Sequence, residues 1–320
     1  MNGWPINGLL VRNDTTGYAL VSVLMILLLL AGCGGEQDDS TDAASSADQM
    51  AEMHEGDTPE ATAAAREPML PVTASTVAYG STDAGDSMTG YAAAPSRPDS
   101  VLDARGLDPA TTNLPGLIVI HEWWGLNDNI RTTTRRLAGE GYRVLAVDLY
   151  GGAVGETPEE ARDLMQLALE DRDLLRNNLR QAHEYLRTEA DAPRVAVMGW
   201  CFGGGMALEA AISQPETLNG AVIYYGSLDR ATEETLRPIE FPILGLFGGQ
   251  DQSIPVENVR AFEQTLNDLG TDAEIHIYDD AGHAFANPSG SRYDAEAAAQ
   301  AWDETTDFLR RTLYEPLGSE

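Results

Sequence analysis

Short apolar runs alternate with amphipathic segments along most of the chain. Helical patterns include one that begins at Pro158, after a candidate N-cap at Thr157, and two at residues 257–269 and 295–313. Runs that are apolar on both faces are typical of buried parallel strands. The alternation predicts one doubly wound α/β domain with a mostly parallel sheet, residues 72–320. The six runs rich in Val, Ile and Leu are residues 117–120, 144–147, 195–198, 221–225, 243–247 and 275–278.

Two segments ahead of the first parallel strand have a different pattern. Residues 72–79 and 88–93 flank a stretch rich in Gly, Ser and Asp, and this arrangement predicts an antiparallel hairpin at the N-terminal edge of the domain. The polar, proline-containing segment 95–115 follows. We interpret it as a long connection that either overhangs the functional site or lies on the surface.

The N-terminal apolar run, residues 18–30, is shorter than the roughly 20 residues that cross a bilayer. It fits the core of a signal peptide. The run ends in Leu-Ala-Gly-Cys at positions 30–33, which resembles the lipobox of bacterial lipoproteins. This resemblance implies that residues 1–32 are a lipoprotein signal peptide and that Cys33 is acylated. The protein would then be anchored in the cell envelope, facing the periplasm or the exterior. An ordinary signal peptide or a short anchor helix is the alternative.

Residues 33–71 are rich in Asp, Glu, Ser, Thr and Ala and nearly free of large apolar residues. Such a composition buries too little apolar surface to fold by itself. The segment is predicted to be a disordered acidic tether between the lipid anchor and the folded domain.

The charge of the chain excludes one large class of partners. Its 51 acidic residues outnumber 20 basic ones, all of them arginine, and the net charge is −31. Such a chain repels nucleic acid, so nucleic-acid binding is not expected. The two cysteines and five histidines show no zinc-site spacing, so we expect neither a metal nor a cofactor.

The third apolar run is followed by Gly-Trp-Cys-Phe-Gly at positions 199–203. This Gly-x-Cys-x-Gly pattern is a nucleophile elbow with sulfur in place of the serine oxygen. Its glycines permit a sharp turn from strand to helix, and the N-terminus of a helix favours a thiolate. Cys201 is therefore the candidate nucleophile. The alternative is a cysteine that merely fills space in the core.

An elbow of this kind is followed along the chain by an acid and then by a histidine. Asp251 comes after the fifth apolar run and His283 after the sixth. Asp229 and Asp279 are rival acids. The first is explained as a helix cap, and the second lies very close to the histidine in sequence. Asp251 and His283 are therefore the preferred pair.

The first apolar run is followed by His-Glu-Trp-Trp-Gly-Leu-Asn at positions 121–127. The loop at this place supplies one N–H of an oxyanion hole, and the residue after the nucleophile supplies the other. The backbone N–H groups of Trp123 and Phe202 are therefore the candidate donors. Glu122 is an unusual residue so close to a core strand. The simpler explanation is a surface glutamate beside two packing tryptophans.

The hairpin, these motifs and Gly-His-Ala-Phe at positions 282–285 occur in an order that resembles the dienelactone hydrolase family, over about residues 72–315. The resemblance implies an α/β-hydrolase fold. It also implies cysteine-dependent cleavage of a lactone, activated ester or thioester through a thioacyl-enzyme.

Roles for individual residues come with this resemblance. It makes Cys201 the nucleophile, His283 the base and then the acid, and Asp251 the group that orients the imidazole. Glu122 matches a glutamate that contacts the resting thiol and helps to ionise it. Trp123 and Phe202 match the oxyanion donors.

The chain departs from the family pattern where the substrate carboxylate is bound. Asn287 stands where dienelactone-specific members carry an arginine, four residues after the histidine. Arg162 is a candidate for a second family arginine, and Trp124 is a further candidate substrate contact. With one arginine lost on so acidic a protein, a dianionic dienelactone is a doubtful substrate.

Two functions of other classes remain as alternatives. A non-catalytic binding or sensing lipoprotein on the same fold would lack a member of the triad, and all three residue types are present. A thiol redox protein would need a second, resolving cysteine, and Cys33 is the predicted lipidation site.

We predict that the folded domain gains stability as the salt concentration rises. Of the charged residues, 40 acids and 18 arginines lie after residue 71, so the tether does not account for the imbalance. Like charges destabilise a compact state, and the Debye length falls from about 10 Å at 0.1 M salt to about 3 Å at 1 M. Thermal melts between 0.05 and 3 M NaCl should show a rising midpoint. A flat or falling midpoint would rule out adaptation to high salt.

Overall fold

A computed structural model describes Asp57 and residues 67–314 of the chain. The predicted signal peptide and the predicted lipidation site at Cys33 lie outside the described residues. Among the residues that are described, none of the helices is both long and apolar enough to cross a membrane.

Eight strands form one sheet in the described part of the chain, in the order β1-β2-β4-β3-β5-β6-β7-β8. β2 pairs antiparallel with both β1 and β4, and the remaining neighbours pair in parallel. The strands are β1 Val72–Ser81, β2 Ser87–Pro95, β3 Gly116–Ile120, β4 Arg143–Val147, β5 Val195–Trp200, β6 Gly220–Tyr224, β7 Ile243–Gly248 and β8 Ala273–Tyr278. The predicted parallel sheet and N-terminal hairpin are thus confirmed.

Helices cover both faces of this sheet. Within the described residues they are α1 Pro98–Ala104, α2 Asp128–Gly139, α3 Pro158–Leu169, α4 Arg172–Thr188, α5 Phe202–Ser213, α6 Glu233–Leu236, α7 Val256–Leu269 and α8 Ala295–Tyr314. The predicted cap at Thr157 is confirmed, because its side chain accepts a hydrogen bond from the backbone N–H of Glu160.

The central strand β3 divides the apolar core into two layers. Successive side chains of a strand point to opposite faces. Ile118 and Ile120 pack into the layer under α3, α4, α5 and α7, while Leu117 and Val119 pack into the layer under α2 and α8. These four side chains are fully buried, so the apolar character of both faces follows from helices on each side of the sheet.

The segment 95–115 departs from the expectation of a plain connection, because it contains helix α1. Pro98 occupies the first turn of this helix, where its missing N–H costs little. Val101 and Leu102 are buried and form a small cluster with Leu114. With so short an apolar pattern, the helix depends on this tertiary contact more than on its own sequence.

The strand order brings separated loops to one edge of the sheet. β3 lies directly beside β5, and β7 lies beside β8. Because these strands are parallel, the residues that follow them emerge at the same edge, which is where ligands bind in open α/β sheets. The loops after β3, β5, β7 and β8 carry the candidate residues.

Candidate active site

The turn between β5 and α5 holds Cys201 in a conformation that a side-chain-bearing residue rarely adopts, with φ 55°. Two glycines make the turn possible. A Cβ on Gly199 would lie 2.2 Å from the carbonyl oxygen of Gly203, and one on Gly203 would lie 2.4 Å from that of Ile120. The backbone N–H of Cys201 donates to the carbonyl of Tyr224 on β6 (3.0 Å). The turn therefore has the geometry of a nucleophile elbow, with its thiol at a helix N-terminus.

The structure brings His283 and Asp251 to this thiol. His283 Nε2 lies 3.3 Å from the sulfur of Cys201, and His283 Nδ1 lies 2.8 Å from Asp251 Oδ2. The other oxygen of Asp251 accepts from the backbone N–H groups of Ser253 (2.8 Å) and Ile254 (3.0 Å). These two bonds hold the carboxylate in place, and Asp251 in turn orients the imidazole. All three candidate side chains are buried.

The electrostatics of the site favour a protonated His283, which can form a charged pair with a Cys201 thiolate. Burial by itself lowers the pKa of His283, but the Cys201 thiolate and the Asp251 carboxylate outweigh burial and raise this pKa to about 10. The ring of Tyr225 packs edge-on against the imidazole at 5.2 Å between centroids. An imidazolium beside a thiolate combines a nucleophile with a proton donor at neutral pH.

The loop after β3 is fixed by His121, a residue whose role the sequence did not reveal. Its Nδ1 lies 2.6 Å from the carbonyl oxygen of Glu122, and the backbone N–H of Leu149 donates to its Nε2 (3.1 Å). Since Nε2 accepts, Nδ1 carries the proton of a neutral ring. Complete burial lowers the pKa of His121, which keeps the ring neutral. The imidazole thus ties the Glu122 loop to the loop after β4.

Glu122 is buried and is bonded to Asn287, the residue that replaces the expected arginine. Asn287 Nδ2 donates to Glu122 Oε2 (2.8 Å), and the oxygen of Asn287 accepts from the backbone N–H of Ser289 (2.9 Å). Asn129 on α2 completes the network through a hydrogen bond to the Ser289 hydroxyl. Glu122 is therefore not the surface glutamate of the simpler explanation.

A cavity of about 80 Å³ reaches Glu122 and Asn287 from between α2 and α8. Arg136 of α2 lies along it, and its guanidinium carbon stands 3.3 Å from the ring centroid of Trp302 on α8. Trp200, the residue before the candidate nucleophile, also lines this cavity. The opening approaches Glu122 from the face of the sheet that carries α2 and α8.

The candidate oxyanion donors lie on the two loops that flank the thiol. Phe202 is the first residue of α5, so its backbone N–H has no acceptor within that helix. Trp123 follows β3, the strand that pairs with β5, and is completely buried. The assignment of these two N–H groups to an oxyanion hole stays a prediction.

The candidate substrate contacts Arg162 and Trp124 and the rival acid Asp229 each have partners of their own. Arg162 on α3 forms an ion pair with its neighbour Asp163 (2.9 Å). Trp124 is 1% exposed and packs edge-on against Trp123, so its surface is taken up by the core. Asp229 does not begin a helix: its carboxylate accepts from the hydroxyl of Ser227 (2.7 Å), and α6 is capped later by Thr232.

One group of metal-ligating side chains exists among the described residues, away from these loops. Glu274 and His276 of β8 face Glu304 of α8, with their ligand atoms within 4.8 Å of one another. Arg311 already binds Glu274 (2.7 Å), and His276 Nε2 lies 3.9 Å from Glu304. These pairs account for the cluster, and we assign no metal to it.

Comparisons with known proteins identify the family of the chain. Residues 102–313 match the dienelactone hydrolase family. A Yersinia pestis protein named "Putative carboxymethylenebutenolidase" is 34% identical over 240 residues, which cover 70% of this chain and 84% of that protein. A Klebsiella pneumoniae structure named "Putative Dienelactone Hydrolase" superposes with a TM-score of 0.62 at 28% identity, covering 75% of this chain and 99% of that one. A dienelactone hydrolase-like promiscuous phosphotriesterase from metagenomic libraries gives a TM-score of 0.63 at 26% identity, covering 75% and 98%.

We expect His283 to stay protonated until the pH approaches 10, and to titrate lower when Asp251→Asn or Cys201→Ser removes one of its negative neighbours. Imidazole resonances followed by NMR from pH 5 to 11 measure this directly. His183 is an internal control, because burial lowers its pKa below the usual value of about 6.5. A wild-type His283 that loses its proton below pH 7 would contradict the charged pair.

Proposed function

The chain belongs to the dienelactone hydrolase family, and we propose that it cleaves a lactone, an activated ester or a thioester through a thioacyl intermediate on Cys201. The observation that carries the proposal is the continuous chain of contacts from the sulfur through His283 to Asp251, at 3.3 and 2.8 Å. A nucleophile in reach of a base, with the base oriented by a third group, is the arrangement required for covalent catalysis.

In the first half of the reaction the Cys201 thiolate attacks the substrate carbonyl carbon. The carbonyl oxygen takes up the negative charge and accepts hydrogen bonds from the backbone N–H groups of Phe202 and Trp123. The bond from this carbon to the leaving atom, oxygen in an ester or lactone and sulfur in a thioester, then breaks, and the imidazolium of His283 gives the leaving atom its proton. The acyl group remains on sulfur as a thioester, and His283 is left neutral.

In the second half, neutral His283 removes a proton from water, and the resulting hydroxide attacks the thioester carbon. Collapse of the tetrahedral intermediate releases the carboxylic acid and restores the thiolate beside the imidazolium. In a lactone, leaving group and acid are parts of the same product. Asp251 accepts a hydrogen bond from Nδ1 of the ring throughout, so that Nε2 faces the reacting atoms.

The substrate class follows from the nucleophile and from Asn287. A thiolate is a better leaving group than an alkyl alkoxide, so a thiolate cleaves unactivated alkyl esters poorly. This favours strained lactones, enol or aryl esters and thioesters. The amide of Asn287 is bonded to Glu122 and brings no positive charge to the site. We therefore expect substrates with fewer carboxylates than a dianionic dienelactone.

A non-catalytic binding role is the weaker alternative. It would leave the contacts between Cys201, His283 and Asp251 without a use, together with the raised pKa of His283. Perturbed titration of buried, paired groups is characteristic of sites that carry out chemistry.

We expect Cys201→Ala to lower kcat/KM for 4-nitrophenyl acetate by at least about 10³-fold, because no other group replaces the sulfur in the acyl intermediate. Thermal melts of the variant establish that the domain is folded. Mass spectrometry after rapid quenching should detect the acylated wild-type protein and no adduct on the variant. A folded variant that keeps most of its activity would exclude the thioacyl mechanism.

We also propose that the enzyme is held in the cell envelope by a lipid on Cys33. The supporting observation is the apolar run that ends in Leu-Ala-Gly-Cys. Wild-type protein should fractionate with membranes and carry a mass increase on Cys33, whereas Cys33→Ser should remain an unlipidated precursor or become soluble. An unmodified Cys33 in the mature wild-type protein would refute the anchor.

A further inference from the structure

A carboxylate from the segment ahead of the domain is buried against the loop that carries His283. The side chain of Asp57 is 1% exposed. One of its oxygens accepts from the backbone N–H of Ser291 (2.7 Å), and the other lies 3.8 Å from Nη2 of Arg292. A Cβ placed on Gly290 would lie 3.4 Å from the same carboxylate. Asp57 therefore differs from a solvated tether residue.

Burial of this carboxylate requires compensation. A buried charge is costly unless it is paired and hydrogen-bonded. Asp57 has both kinds of partner, a backbone N–H and a guanidinium, and both come from adjacent residues of one loop. The contact is thus a specific one, between one carboxylate and two adjacent residues, which supply a backbone N–H and a guanidinium.

The loop that Asp57 contacts is connected to the candidate catalytic histidine. Arg292 Nε donates to the backbone carbonyl of His283 (3.0 Å), and Nη2 of the same guanidinium lies 3.8 Å from the Asp57 carboxylate. Arg292 therefore bridges the buried carboxylate and the main chain of His283. Because Arg has a long side chain with many rotamers, a second partner at its guanidinium limits the conformations in which Arg292 reaches His283.

The backbone at this point is strained, which makes such a support useful. Ala284, the residue after His283, has φ 59°, a conformation that favours glycine. A non-glycine residue in this conformation persists only where the surroundings enforce it. The bond from Arg292 to the carbonyl of His283 adjoins this strained residue.

The same loop also carries the partner of Glu122. Asn287 donates to Glu122, and the oxygen of Asn287 accepts from the backbone N–H of Ser289. Asp57 binds the loop two residues further along, at Ser291. One stretch of ten residues, from His283 to Arg292, thus connects the base, the buried glutamate and the carboxylate from outside the domain.

We infer that Asp57 is a positioning residue for His283, which it holds through Arg292 and the backbone of the loop. The inference rests on the proposed function in that His283 is the group whose position matters for turnover. It adds that the chain ahead of the first strand contributes to the active site. The segment predicted as a tether then has a structural role at this one position.

The test uses the full chain with two substitutions of different severity. Asp57→Asn retains an oxygen for the Ser291 N–H and loses the charge, whereas Asp57→Ala loses both. We expect kcat to fall about tenfold in Asp57→Ala and about threefold in Asp57→Asn, with KM within twofold of wild type, because misplacement of a catalytic group affects the reacting step. Glu233→Gln, which breaks the exposed pair with Arg237 on α6, is the matched control and should leave both constants unchanged.

A second measurement separates this inference from the proposed function. The rate of Cys201 alkylation by iodoacetamide, recorded against pH, reports the thiolate–imidazolium pair without any turnover. Asp57→Ala should lower the rate at neutral pH and shift the profile, even if the wild-type protein hydrolyses none of the esters tried. If the wild-type protein hydrolyses no ester of the panel, the proposed function is refuted, but the inference about Asp57 is not.

Three outcomes overturn the inference. The first is a folded Asp57→Ala protein with wild-type kcat and a wild-type alkylation profile. The second is a lowered melting temperature with an unchanged alkylation profile, since that result assigns Asp57 to stability only. If Asp57→Ala does not fold, Asp57→Asn and Arg292→Lys are used in its place. The third outcome is then a wild-type alkylation profile in both of these variants.

Discussion

The close approach of α5 to the ends of β3 and β5 is the constraint on which the rest of the site depends. It exists because Gly199 and Gly203 have no Cβ to fill the space between the helix and the two strands. The same approach gives Cys201 its positive φ and turns the sulfur out of the strand toward His283. It also leaves the first N–H groups of α5 next to the sulfur, where they favour negative charge. The position of the Cys201 sulfur, its tendency to ionise and its access to backbone N–H groups thus all follow from this close approach.

Both carboxylates of this site accept hydrogen bonds from neutral donors of the fold, beside the contact between Asp251 and His283. Asp251 accepts two backbone N–H groups in addition to the imidazole, and Glu122 accepts the amide of Asn287. The fold fixes each of these donors in place, so these hydrogen bonds to the carboxylates do not depend on a mobile cation. In a chain with a net charge of −31, the carboxylates of the site are therefore hydrogen-bonded independently of the charges on the surface. The surface can remain acidic while the local geometry keeps Asp251 and Glu122 hydrogen-bonded.

The sequence was most informative where a pattern repeats or a turn demands particular residues. Buried strands such as Leu117–Ile120 are apolar throughout, and the glycines around Cys201 match a sharp turn from strand to helix, so the sheet and the elbow could both be predicted. Helix α1 was missed because its apolar contacts, Val101 and Leu102, are too few to form a pattern. The strand predicted at 221–225 ends one residue earlier because Tyr225 has φ 36°.

The supporting contacts of the site could not be predicted because they join residues far apart in sequence. Asn129 reaches Ser289, and Asp57 reaches Ser291, across separations of 160 and 234 residues. No local spacing marks such pairs, and Asn, Ser and Asp are ordinary residues of turns and caps. His121 was visible as part of a motif, but its role depends on the backbone of Leu149 in another loop.

The replacement of an arginine by Asn287 has an effect on Glu122 as well as on the substrate. A guanidinium at this position would bring a positive charge to the buried side chain, whereas the amide brings a hydrogen bond and no charge. Glu122 lies in the same buried region as Cys201: burial raises the pKa of Tyr225, and Glu122 and Cys201 raise it further. Under the proposed function, a substrate carboxylate therefore finds an amide beside an acidic side chain in this region, where an arginine would have attracted it. The substitution disfavours dianionic substrates for this reason.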